Sequence, residues 1–186
     1  MYRQKELMNC FSQWEKHLKE QKIPTWDELP TLELYMDQVL VLLNRYADIM
    51  RLSNGENVIT APMINNYVKH KTVPAPVKKR YKKLHLAYLI MVCTLKQALS
   101  ISTIEKIIPC GLSEDEVKHI YNSFAKNQQK AFSYVSEQVL AVSQPIVTAS
   151  DFNTERVRDL VFQVAIASNI FKNLTETITD LPEEDK

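Results

Sequence analysis

The chain has 186 residues, 45% hydrophobic and 24% charged, with a formal net charge of +1 at pH 7. That length and balance allow a buried core in one domain or a domain with a helical extension, while apolar stretches such as LAYLIMVCTL are far shorter than the ~20 residues a membrane-spanning helix needs. The opening, MYRQKELMNCFSQWEKHLKEQK, carries charges throughout and develops no apolar segment of the secretory type, so the expectation is a cytoplasmic protein with no membrane association.

Taken in chain order, the sequence predicts almost nothing but helix. Glycine occurs only at Gly55 and Gly111, and no Asn-Gly or Asp-Gly hairpin signal separates alternating runs. An amphipathic helix is expected over 3–20, broken from the next by the two prolines of KIPTWDELP. TLELYMDQVLVLLNRYADIM then places Leu34, Val39, Leu42, Leu43 and Tyr46 on one broad face, with Thr31 available as N-cap and Glu33 in the first turn. RLSNGEN, residues 51–57, reads as a loop. A short helix over 61–70 follows, with Thr60 as N-cap and Pro62 in the first turn, where a missing amide is tolerated.

That short helix has two faces. Ile64, Tyr67 and Val68 fall together at i, i+3 and i+4, and Asn65, Asn66 and Lys69 fall on the other side. The prolines of TVPAPVKKRY force extended backbone on the residues before them, so this stretch is expected to form a ribbon or wing tipped by Lys78, Lys79 and Arg80. KKLHLAYLIMVCTLKQAL resumes as a strongly apolar helix, and SISTIEKII adds a shorter one that stops before Pro109.

The near-neutral total hides a segregation of charge. Residues 1–56 carry seven Lys and Arg against nine Asp and Glu, 57–104 carry eight against none, and 105–186 carry eight against thirteen. A basic central third between acidic flanks points to a surface for a polyanion. A random fluctuation of charge in a helical protein is the plainer alternative.

In the last third, Ser113 and Glu116 form a capping box that opens a helix expected to reach about Val142, where SQPIVTAS interrupts it. A second long helix is expected over 151–178. In it Val157, Leu160, Val164, Ala167, Phe171, Leu174 and Ile178 recur at alternating steps of three and four, the seam of a coiled coil or bundle. Val161, Ile166 and Ile170 widen that seam beyond one partner helix, and a homodimer through this helical pair is the expectation. The competing account folds the N-terminal helix, with Phe11, Trp14 and Leu18, back over the same surface. The acidic tail, 181–186, is expected to be disordered.

This order of parts resembles the DNA-binding domain of MerR-type transcriptional regulators. MINNYV stands where those proteins carry Thr-Ile-Arg-Tyr-Tyr, with Ile64 and Tyr67 matching and Asn65 and Asn66 replacing Arg and Tyr; Lys79-Arg80-Tyr81 corresponds to the Arg-x-Tyr of the wing. The family's glycine after the recognition helix is replaced by Lys71 and Thr72. LYMDQV, MINNYVKH and KKRYKKLHLAYLI also look like the signature of an uncharacterised bacterial family known only as a domain of unknown function, over most of the chain.

The resemblance implies an all-α, MerR-like winged helix-turn-helix over 29–110. An N-terminal helix over 1–28 precedes it, and a C-terminal long-helix pair over 111–180 follows. The implied function is that of a transcriptional regulator binding double-stranded DNA, with no effector named. The expected DNA-contacting residues are Thr60, Asn65, Asn66, Lys69, His70, Lys71, Lys78, Lys79, Arg80, Lys82 and Lys83. Asparagine suits a bidentate bond to adenine N6 and N7, and the cations suit phosphates. Tyr81 is expected to anchor the wing to the core.

Other chemistry finds little support. Cys10, Cys93 and Cys110 are odd in number and far apart, which argues against a disulfide framework and reads as reduced thiols in apolar surroundings. His17, His70, His85 and His119 share no metal-ligand spacing, and His85 is expected to cap or hydrogen-bond inside the domain. No nucleophile elbow and no phosphate-cradling glycine loop is present, so no catalytic residue, cofactor or metal is expected. Gln128, in KNQQK, reads as a register-setting or partly exposed residue. A helical protein-interaction module whose basic face meets an acidic partner is the alternative function; single-strand RNA binding lacks an exposed aromatic platform.

Overall fold

The computed structural model describes residues 4–20, 22–46, 59–149 and 151–182. The loop expected at 51–57 and residues 183–186 of the tail lie outside them. The described architecture is all-α, with helices α1 (Gln4–Glu20), α2 (Met36–Tyr46), α3 (Ala61–Lys69), α4 (Lys83–Leu95), α5 (Ile101–Ile107), α6 (Glu114–Val147) and α7 (Thr154–Thr179), and a 3-10 turn at Trp26–Glu28. The chain divides into two compact units, Gln21–Gln128 and Met1–Glu20 with Gln129–Lys186. No helix among the described residues is long and apolar enough to cross a membrane.

In the unit Gln21–Gln128, α4 is the central element. Every residue from His85 to Cys93 is buried. A helix apolar all round must be covered on all sides, and here the cover comes from Val39 and Leu43 of α2, Ile64 and Tyr67 of α3, Ile104 of α5, and Val117 and Tyr121 of α6. Trp26 packs edge-on to Tyr121, with ring centroids 6.3 Å apart, and its backbone N–H donates to Asn122 Oδ1 at 2.9 Å. The Thr25 N–H and hydroxyl both donate to Glu28, at 2.7 and 2.9 Å, which holds that carboxyl below its usual pKa. This Thr-x-x-Glu is a capping pattern legible in the sequence.

Helix α2 starts later than its periodicity suggests. Thr31 does not cap it and Glu33 is not in its first turn, because Leu34 is held in a β-bridge to Tyr81. The Leu34 N–H donates to the Tyr81 carbonyl at 2.9 Å, and the Tyr81 N–H donates back at 2.8 Å. A residue whose two backbone groups are taken by a long-range pair has none left for a helix. Tyr35 stands at the helix entry instead, its N–H donating to Gln38 Oε1 at 2.9 Å.

Helix α6 opens as predicted. The Ser113 hydroxyl and N–H both donate to the Glu116 carboxylate, at 2.6 and 2.8 Å, and hold its pKa down. The interruption falls within SQPIVTAS, but the helix expected to reach about Val142 runs on to Val147, and Pro145 lies inside it. So close to the C-terminus the proline removes one hydrogen bond from a turn that ends anyway, and the Thr148 N–H and hydroxyl both donate to the Gln144 carbonyl.

In the unit of Met1–Glu20 and Gln129–Lys186, α6 contributes the buried Ser136, Ser143 and Val147, and α7 contributes Val157 and Leu160. Asn153 caps α7 by accepting the Arg156 N–H at 3.0 Å. Gln4 of α1 donates to the carbonyls of Val147 and Ala149, at 2.6 and 3.2 Å, and Leu18 is buried.

Two cysteines depart from expectation. Cys93 is buried, and burial pushes its thiol pKa to about 12, but Cys10 and Cys110 are exposed rather than enclosed in apolar surroundings. Among the described residues no three His, Cys, Asp or Glu side chains group to hold a metal ion. Gln128 is partly buried, and its side-chain oxygen meets no hydrogen-bond donor of the protein.

Candidate nucleic-acid interface

The short helix α3 separates its faces as its spacing dictates: Ile64 and Tyr67 are buried, and Asn65, Asn66, Lys69 and His70 are exposed. Its start is set by a contact the spacing does not announce. Asn44, near the end of α2 and only 7% exposed, donates from Nδ2 to the carbonyls of Leu40 and Ile59 and accepts the Ile59 N–H at Oδ1. One side-chain amide thus satisfies both backbone groups of the buried residue just before α3. Thr60 occupies the N-cap position in extended conformation, with its carbonyl accepting the Ile64 N–H at 3.2 Å, and its side chain makes no capping bond.

The end of α3 explains how the chain does without the glycine. Lys71 adopts φ of 60°, the left-handed conformation glycine favours at this position. The Lys71 N–H donates to the Val68 carbonyl at 3.1 Å and the Thr72 N–H to the Tyr67 carbonyl at 3.0 Å, the paired bonds of a Schellman ending. Thr72 is buried and donates from its hydroxyl to Glu105 at 2.7 Å, and Val73 beside it is fully enclosed.

The ribbon after α3 turns at Lys78 and Lys79, with φ of 51° and 63°. The Arg80 N–H donates to the Val77 carbonyl at 2.9 Å. Positive φ at both central residues is the mark of a type I′ turn, where Asn-Gly is the favoured pair. Among the described residues, the three non-glycine residues with positive φ are therefore all lysines of the basic strip: Lys71, Lys78 and Lys79.

The base of the ribbon is tied down. Tyr81 is buried, paired through its backbone to Leu34, with its ring edge-on to His85, so it anchors the ribbon as expected. The His85 Nδ1 accepts the Lys82 N–H at 3.0 Å, and Nε2 lies 3.2 Å from the Ala75 carbonyl, which assigns the proton to Nε2 of a neutral ring. Burial is the main cause that lowers its pKa, opposed by the hydrogen bond to the Ala75 carbonyl.

Glu33 is the residue that composition conceals. The strip 57–104 holds no acid, but the extended segment before α2 brings Glu33 to within 3.8 Å of both Arg80 and Lys82. Arg80 also lies over the ring of Tyr35, 5.2 Å from its centroid, and Lys83 lies 5.7 Å from the ring centroid of Trp26. The eleven expected residues thus fall into three sets. Thr60, Asn65, Asn66, Lys69, His70 and Lys71 lie on or beside the exposed face of α3; Lys78 and Lys79 form the turn; Arg80, Lys82 and Lys83 have partners within the protein.

Comparison with curated proteins and with solved structures returned no match. One family model matches residues 24–124, from just before the 3-10 turn into the first part of α6, which is less of the chain than the resemblance suggested. The matched stretch holds α2 to α5, the lysine-tipped ribbon and the whole of the interface described above, and it spans more than half of the 186 residues: the chain belongs to the family described as Domain of unknown function (DUF1836).

Proposed function

We propose that the unit Gln21–Gln128 is a winged helix-turn-helix of the MerR-like kind that binds duplex DNA, and that the protein is a transcriptional regulator. In this reading α2 and α3 form the helix-turn-helix, and the outer face of α3 enters the major groove. Asn65 and Asn66 contact base edges, and Lys69, His70 and Lys71 contact flanking phosphates. Lys78 and Lys79 reach phosphates from the wing, while Thr60 sits at the helix N-terminus, where amide hydrogens favour an anion.

The observation that carries the reading is the pair of left-handed lysines at the turn. A non-glycine residue in that conformation costs about 1 kcal/mol or more. Strain of that kind in an exposed turn has a rationale if two cations are wanted at its tip. The ion pairs of Glu33 with Arg80 and Lys82 are exposed and long, hence weak, and phosphate can displace the carboxylate.

Titration of labelled duplex DNA at several salt concentrations tests the reading. Binding whose logarithm falls linearly with log salt supports it, and absence of binding at low salt removes it. Glu33 also favours a second reading, in which the basic face meets the carboxylates of an acidic partner protein as it already meets one of its own. Binding to an acidic polypeptide with none to DNA would select that reading.

A further inference from the structure

Helix α7 leaves most of its apolar surface in water. Val157 and Leu160, the first two positions of its three-and-four seam, are buried within their own unit. The same seam then emerges, with Val164, Phe171, Leu174 and Ile178 all about half exposed. A second stripe at four-residue spacing, Phe162, Ile166 and Ile170, is exposed to 56%, 60% and 61%. From Leu160 to Phe171 the helix holds no charged residue. Helix α1 belongs to this unit, pinned by Gln4 with Leu18 buried, and both stripes remain open beside it.

We propose that these stripes bind a second copy of this chain, and that the α6–α7 hairpins of two copies close into a four-helix bundle in the unit of Met1–Glu20 and Gln129–Lys186. Three arguments select that occupant. The exposed positions continue, in register, a seam whose first heptad is already packed, so the cover is itself helical. The two stripes lie roughly 120° apart at 100° per residue, wider than one helix covers, so the partner must bring two helices, as a hairpin does. At about 100 Å² for each half-exposed large side chain, the seven residues with Val161 offer roughly 800 Å², the area one partner contributes to a standard interface.

The charge-free run adds to this. Choice among different coiled-coil partners is written in flanking charges, and a two-fold pair presenting the same apolar surface twice needs none. The inference does not depend on DNA binding, since every exposed residue of the proposed contact lies in α7.

Sedimentation velocity of the full chain at micromolar concentration, without DNA, tests it. The expected species has twice the chain mass. Ile166→Glu with Ile170→Glu, both at exposed positions, is expected to weaken self-association roughly a hundredfold or more, because two charges are placed where isoleucines pack. Circular dichroism of that variant is expected to keep the wild-type helix content. If it loses helix, Ile166→Gln with Ile170→Gln takes its place, with the same shift toward monomer expected. A wild-type chain that sediments as a monomer overturns the proposal. So does a dimer that persists unchanged in whichever folded double variant is measured.

Discussion

Asn44 and Ile59 are joined as two strands of a sheet would be, except that one side is a side chain. The amide accepts the Ile59 N–H at 3.1 Å and donates to its carbonyl at 2.9 Å, with both residues buried. This contact fixes where α3 begins relative to α2, and so which residues the outer face of α3 offers.

Asn44→Ala leaves an N–H and a carbonyl of Ile59 buried without partners, and each such group costs ~1–3 kcal/mol. The expected loss in urea unfolding is about 2–4 kcal/mol. Asn44→Asp keeps the acceptor and loses the donor, so it should fall between wild type and alanine. A loss under about 0.5 kcal/mol for alanine would show that the clamp does not hold α3.

Replacing Lys78→Asn together with Lys79→Gly puts the favoured pair into the type I′ turn. Stability should rise by about 1 kcal/mol while the salt slope of DNA binding flattens by roughly two. The opposite signs separate a strained tip kept for its charges from a turn with no binding role. An unchanged slope removes the wing from the interface.

Specificity should rest on a different pair. Asn65→Ala or Asn66→Ala should weaken binding to a preferred site by roughly 1–3 kcal/mol and leave binding to random duplex nearly intact. Competition assays with the two kinds of duplex distinguish this from equal loss on both, which would make the asparagines backbone contacts.

His85 predicts an acid limit. Burial lowers its pKa in the fold, so below the ordinary histidine value of about 6.5 the unfolded chain takes up a proton that the folded chain resists. The stability that this neutral ring contributes is present above that value and is lost as pH falls through it toward the lower folded pKa. Lys82 opposes protonation and Glu33 favours it, both more weakly than burial. His85→Gln, which can still accept the Lys82 N–H, should flatten the pH dependence of unfolding below about pH 6.5. A wild-type curve already flat there would contradict the assignment.

What the sequence determines by itself is whatever depends on neighbours a few positions away. The faces of α3 follow from Ile64, Tyr67 and Val68 against Asn65, Asn66 and Lys69, because helical geometry brings i, i+3 and i+4 together in any context. The start of α6 follows from Ser113 and Glu116 for the same reason. Tertiary structure decided the rest. Helix α2 begins at Met36 and not beside Thr31, because Tyr81, far along the chain, takes both backbone groups of Leu34. Glu33 reaches Arg80 and Lys82 through that same pairing, so the acid-free strip does not fold into an acid-free surface. Asn44 is one polar residue in an amphipathic helix until Ile59 arrives beside it. Local spacing encodes which residues share a face; which distant backbone group each face meets is set only when loop closure brings the segments together and buried polar groups must find partners.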